Sequence, residues 1–295
     1  MYARVIKALS LLPAELASAL KPIIEDSNFD STISPEQFEC LLSTTHMTDT
    51  ELRVALLPLA ASYAVVPISN FYVGAIVRGT SGRLYFGANM EFENASMACT
   101  IHAEQSAISH AWIKGEVGIK DVTINYSPCG HCRQFMNELT SANDMMIQLP
   151  QREPMTLQQY LPDSFGPLDL GVKDGLLSDL DKGRRSEESS ELATSACNAA
   201  NRSHAPYSKN FSGVALKAQD GRIFEGMYAE NAAFNPSLPP LQVALINMNM
   251  SNYSLTEITE AALVESAESK ISQLARTQAL LEALNPDIQL TYVAY

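Results

Sequence analysis

Two stretches of this chain match one another without a gap, and that match limits the fold more than any other feature. "PISNFYVGAIVRGTSGRLYFGANMEFENA" starts at Pro67 and "PYSKNFSGVALKAQDGRIFEGMYAENAAF" starts at Pro206. Placing Pro67 on Pro206 sets Ser69 on Ser208, Gly74 on Gly213, Gly82 on Gly221 and Arg83 on Arg222; Gly87 then meets Gly226 and Glu91 meets Glu230. Glycines that recur in register mark backbone shapes a side chain would forbid. The match therefore predicts an internal duplication, two tandem units of one fold.

Within the first unit, "ELRVALLPLAASYAV" predicts a helix, "FYVGAIVRG" a strand and "GRLYFGANM" its hairpin partner beyond the "TSG" turn. "HAEQSAISHAWI" is helical, "DVTINYS" a strand, "CGHCRQFMNELT" the start of another helix and "DMMIQLP" a last strand. Alternation after an opening hairpin predicts an α/β fold, a mixed sheet with helices on both faces. The expected order is an N-terminal helical segment 1–47, a first domain 48–178, a linker 179–190 with almost no apolar content, and a second, degenerate domain 191–295. Val5, Leu9, Leu12, Leu16 and Leu20 fall at helical spacing and predict one surface helix; Pro13 and Glu15 interrupt the run where a signal peptide needs its apolar centre. No segment approaches the length of a membrane span.

The duplication fails at a few polar positions. Carried on without a gap, it sets His102 on Leu241 and Glu104 on Val243, and no cysteine follows Cys197 to answer Cys129 and Cys132. Four chemistry-bearing residues are thus missing together from the second unit, which argues that they act together in the first. Cys129 and Cys132 stand three apart at a helix start after Pro128, so their sulfurs share one face of the first turn, from which His131 is rotated away. A helix N-terminus favours thiolate, the metal-binding form. One His and two Cys leave a tetrahedral zinc one position for water, the pattern of a catalytic site, with one zinc per chain. Glu104, two residues past His102, can reach that water without being a ligand and handle its protons.

Blander readings compete. A lone C-x-x-C is more often redox or structural, but a redox dithiol does not call for H-x-E, and a closed zinc knot needs a fourth ligand. His110 reads as a partly buried surface residue, His46 and His204 have no carboxylate at matched spacing, and Cys40, Cys99 and Cys197 read as small hydrophobes. Five scattered cysteines favour a reducing cytoplasm. With 33 acidic and 20 basic residues the formal charge is -13, which repels a polyanion and disfavours nucleic-acid binding.

"HAE" with "PCGHC" is the H-x-E…P-C-x-x-C pattern of zinc nucleobase deaminases. "NFYVGA", "GANMEFENA", "HAEQSAISHAW" and "YSPCGHCRQFMNEL" resemble cytidine deaminase in particular, and the long chain with a degenerate second copy is similar to the bacterial homodimeric form. The resemblance implies zinc held by His102, Cys129 and Cys132, and hydrolytic deamination of cytidine and 2′-deoxycytidine in pyrimidine salvage with Glu104 as proton shuttle. It implies that Asn89 and Glu91 bind the ribose 3′-hydroxyl, that Phe71 packs on the base, and that the Ala103 amide and Ser127 carbonyl meet the base edge. On its residues alone Phe71 reads as core. The resemblance further implies a homodimer in which Phe165 and the loop near Ala232 close over the partner's site. Two alternatives stay open: a zinc deaminase of a nucleotide or polynucleotide cytosine, and a non-enzymatic zinc-stabilised binding protein.

Overall fold

The structure is a computed structural model that describes residues 2–178, 181–183 and 190–295. Most of the expected linker, 179–180 and 184–189, lies outside the described residues. The N-terminal segment forms α1 (Tyr2–Leu9), α2 (Ala14–Ile24), β1 (Thr32–Ile33) and α3 (Pro35–Thr45). The expected single surface helix is therefore two, parted before Pro13, whose ring fixes φ and whose nitrogen cannot donate. All five residues of the predicted stripe are buried, so this segment caps the core and is no loose preface.

The first unit continues with α4 (Asp49–Ala55), α5 (Leu57–Ala61), β2 (Gly74–Gly79), β3 (Leu84–Ala88), α6 (Ala103–Ile113), β4 (Ile119–Ile124), α7 (Gly130–Met136), β5 (Met146–Gln148), β6 (Met155–Thr156) and α8 (Leu157–Tyr160). The second has α9 (Glu191–Asn201), β7 (Ser212–Ala218), β8 (Ile223–Met227), α10 (Pro240–Met250), β9 (Ile258–Glu265), α11 (Leu274–Leu284) and β10 (Gln289–Ala294). The long helix expected over 51–65 breaks at Leu56, ahead of Pro58. The strand expected from Phe71 begins only at Gly74.

The sheets run β1-β3-β2-β4-β5-β6 and β10-β9-β7-β8. In each, a hairpin adds an antiparallel third strand and then a parallel fourth, so the mixed α/β topology recurs: β3-β2-β4-β5 corresponds to β8-β7-β9-β10. Even the register shift recurs, at Arg78/Gly79 and at Lys217/Ala218. The matched glycines divide into two kinds. Gly82 and Gly221 turn the hairpins at φ 87° and 88°, in the left-handed region that disfavours side chains. Gly87 and Gly226 serve close packing: a Cβ on either would lie 2.1 Å from a helix backbone nitrogen, that of Ala107 or Ala244.

Those contacts also correct the register of the duplication. Ala107 answers Ala244, and α6 answers α10, with an offset two residues smaller than that of the strands. The paired bridges Met90–Ile101 and Ala229–Leu238 show where the second unit is two residues shorter. His102 therefore corresponds to Pro239, and Glu104 to Leu241, not to Leu241 and Val243. The loop before β9 restores the offset.

Helices α6 and α10 pack against each other between the sheets and are buried on nearly every side, which suits their mix of small and aliphatic residues. One hydrophobic core joins both units. Among the described residues no helix is long and apolar enough to cross a membrane.

His110 is fully buried in α6, where a surface position was expected. Its Nδ1–H donates to the Phe86 carbonyl at 2.9 Å and clasps α6 to β3, and burial lowers its pKa to about 4. A group held neutral in the fold but free to protonate near 6.5 when unfolded stabilises fully above pH 6.5, and that contribution fades as pH falls toward 4. Urea unfolding of wild type and His110→Gln at pH 7 and pH 5 should show the wild type losing about 2 kcal/mol of its advantage at pH 5. A difference independent of pH would refute this role.

Candidate active site

The α6 and α7 N-termini meet above the carboxyl end of β4. His102 is the residue before α6; its backbone N–H donates to Gln105 Oε1 at 3.1 Å, which leaves the imidazole free. Cys129 caps α7 and Cys132 lies in its first turn, the exposed and buried members of one pair. Arg133 fixes the loop before them, donating from Nε to the Pro128 carbonyl and from Nη1 to the Tyr160 carbonyl.

His102 Nδ1 lies 3.4 Å from Cys129 Sγ and 3.2 Å from Cys132 Sγ, and the donor atoms all lie within 4.8 Å of one another. Hydrogen bonds from Cys132 and His102 pull the Cys129 thiol down to about 3. Its bond to Cys129, together with burial, pushes the Cys132 thiol up, and the hydrogen bond with Cys129 raises His102. A tetrahedral zinc with bonds of about 2.0 Å to nitrogen and 2.3 Å to sulfur sets such donors roughly 3.5 Å apart, so the cluster fits zinc in both donor type and spacing. His131 is outside the cluster; its ring stacks on His102 with centroids 5.6 Å apart.

Glu104, in the first turn of α6, is almost wholly buried, and that burial raises its pKa; its carboxyl bonds to the Cys132 thiol. It lines a cavity of about 410 Å³ together with His102, Cys129, Phe71, Asn89, Glu91, Ala103 and Ser127. The structure thus brings every proposed substrate-contacting residue of the first unit to one place. Phe71 is 48% exposed, on the loop before β2, with its ring 4.5 Å from that of Tyr126; its reading as core is overturned. Asn89 receives the Val73 amide and donates to the Phe71 carbonyl, both at 2.9 Å. Glu91 accepts from the amides of Ile68 and Ser69 and from the Ser69 hydroxyl; burial opposes these bonds, but they hold its carboxyl below the usual range.

Phe165 and Ala232 lie elsewhere. The Phe165 carbonyl accepts from Gln134 in the last turn of α7 and from Asn137 just past its end, and the Ala232 amide donates to Glu138. Neither lines the cavity of its own chain. Tyr126 escaped the sequence reading, although "DVTINYS" carried its signal: in a strand, Ile124 and Tyr126 share one side, and both line the cavity.

Cysteine and histidine donors gathered by two helix N-termini, with a glutamate beside them that is no ligand, define the class of zinc nucleobase deaminases. The profile described as "cytidine and deoxycytidylate deaminase zinc-binding region" matches residues 47–148, and a second profile of that description matches residues 157–278. Cytidine deaminases of Photobacterium profundum and Vibrio atlanticus are 71% and 59% identical to this chain, each over its whole length and theirs. The crystal structure of cytidine deaminase from Mycobacterium tuberculosis is 31% identical, spans 41% of this chain and 99% of that one, and gives a TM-score of 0.37. The chain belongs to the cytidine deaminase family.

Proposed function

We propose that the protein hydrolyses cytidine and 2′-deoxycytidine to the corresponding uracil nucleosides and ammonia. The observation that carries this reading is the buried Glu104 on the wall of a nucleoside-sized cavity, beside a His–Cys–Cys cluster. His102, Cys129 and Cys132 would hold zinc, which when bound acts as a Lewis acid that makes water a nucleophile near neutral pH. Glu104 takes the first proton that water gives up and delivers it to ring N3; it then takes the second, from the hydroxyl now bonded to C4, and hands it to the amine, which leaves as ammonia while C4 becomes a carbonyl. The raised pKa of its buried carboxyl suits a group that must both accept and return protons.

The other residues orient the substrate. The Phe71 and Tyr126 rings offer faces to a pyrimidine, and the α6 N-terminus turns the Ala103 amide toward its edge, with Ser127 opposite. Protein donors use three of the roughly four lone-pair sites on Glu91, and one N–H of Asn89 remains after its bond to Phe71. Together they can satisfy a sugar hydroxyl as both donor and acceptor. No Lys or Arg lines this cavity among the described residues, which favours a neutral nucleoside over a nucleotide or a polynucleotide.

The same reading includes a cytoplasmic homodimer. Phe165 and Ala232 lie away from their own chain's cavity; Phe165 is 47% exposed and Phe234, in the loop of the buried Ala232, 65%, as residues that cover a partner's site would be. The test is a comparison of ammonia release from cytidine, deoxycytidine, cytidine monophosphate and a cytosine oligonucleotide, with the mass of the active species measured alongside. Turnover on the nucleosides at least 100-fold above the other two, by a species of twice the chain mass, is expected. Preference for the oligonucleotide would overturn the substrate assignment.

A further inference from the structure

Among the described residues the second unit gathers no cluster of metal donors, yet it grips the helix that carries the first unit's. Helix α7 ends at Met136, and two residues further on stands Glu138, whose carboxylate is completely buried. Its three hydrogen-bond partners all come from the second unit: His204 Nε2 at 2.8 Å and Tyr207 Oη at 2.7 Å on one oxygen, the Ala232 amide at 2.8 Å on the other. His204, which has no carboxylate at matched spacing in the sequence, finds this one 66 residues away. The helix itself is held likewise, with Asn231 Nδ2 donating to the Gln134 carbonyl at 2.9 Å. A buried carboxylate requires such donors, so moving α7 away from them would leave the Glu138 carboxylate without partners in an apolar core.

We infer that Glu138 is a positioning residue through which the degenerate unit holds α7, and with it Cys129 and Cys132, in the geometry zinc requires. The second unit then acts on the metal centre as an outer support, by way of the ligand helix. Groups hydrogen-bonded directly to metal ligands commonly set metal affinity by about 10–100-fold; Glu138 bonds no ligand and acts through the helix, so the low end of that range is expected. This inference rests on the zinc reading of the His102–Cys129–Cys132 cluster.

The experiment uses the full-length chain and reads zinc affinity by competition with a chromophoric chelator, and ligand geometry by the absorption spectrum of the cobalt(II)-substituted protein. Glu138→Gln should weaken zinc binding about tenfold, the low end of the range for groups bonded to ligands, and alter the cobalt spectrum. Glu265→Gln is the control: Glu265 is a similarly buried carboxylate of the second unit, bonded to Asn210, Ser272, Gln273 and Tyr292, all of them in the second unit and none in α7. It should lower the unfolding midpoint while leaving zinc affinity and spectrum at wild-type values. If Glu138→Gln behaves as the control does, Glu138 is merely structural and the inference is wrong. If Glu138→Gln does not fold, Tyr207→Phe, which removes one donor of three, decides: several-fold weaker zinc binding supports the inference, and unchanged binding overturns it. A wild-type chain without stoichiometric zinc would sink the metal reading itself.

Discussion

Glu104→Gln is expected to lower kcat on cytidine by about 10⁴-fold while the protein keeps close to one zinc per chain. Proton transfer by a positioned side chain contributes about 10²–10⁴-fold, and the upper end applies because this carboxyl handles protons at more than one step. The amide fills the same buried space in α6 and replaces no donor of the cluster, so fold and metal content should persist. With the Phe71, Asn89 and Glu91 contacts intact, KM should change little, and the loss should fall on kcat. Stopped assays of ammonia, together with metal analysis of the same sample, give the answer. A variant turning over within tenfold of wild type would remove Glu104 from the chemistry.

The second large effect is expected at Gly87, which touches no substrate. Its backbone φ is ordinary, so its requirement is purely steric: an added Cβ would lie 2.1 Å from Ala107 N and 2.7 Å from the Ala103 carbonyl oxygen. Both obstacles are backbone, and neither can rotate away. Gly87→Ala must push α6 off β3, at a cost of about 3 kcal/mol, or roughly 5 °C in the unfolding midpoint for a chain of this size. His102 and Glu104 ride on the displaced end of α6, and an ångström of misplacement can cost about 10²-fold in rate. Gly226→Ala meets the matching obstacle at Ala244 N, in a helix that carries no catalytic group. It should cost similar stability with a much smaller loss of kcat/KM. Equal catalytic losses in the two variants would mean that instability, not displacement of α6, governs the rate.

What could be read in the sequence was whatever depends on local spacing. Cys129 and Cys132 in one helical turn, and His102 with Glu104 at a helix start, are constraints within a few residues, and the structure brings His102, Cys129 and Cys132 together with Glu104 close by. The duplicated topology was legible because glycines in hairpin turns and at strand–helix contacts tolerate no substitute. Its helix register was not. A shortening by two residues in one loop, restored in another, leaves the strand positions in step while the helix between them slides, and an ungapped reading cannot see that. Phe71 was misread because "FYVGA" looks like a continuous strand, whereas pairing starts at Gly74 and leaves Phe71 on a loop at the cavity. His110 was misjudged because polarity alone says nothing about a carbonyl waiting at Phe86. Glu138 gave no local signal at all, since its partners lie 66 to 94 residues away and only folding brings them near.

The two-residue slip bears on the chain's history. In the second unit, Pro239 stands where His102 would be and Pro240 opens α10, so the first turn lacks the amide that Ala103 presents. The loop leading to it is shorter, and α11 begins with Gln273 where α7 begins with Cys129. Putting back a histidine, a glutamate and two cysteines would not rebuild a second centre, because the backbone that must present them has been cut to other lengths. What selection can still adjust there is its grip on its neighbour.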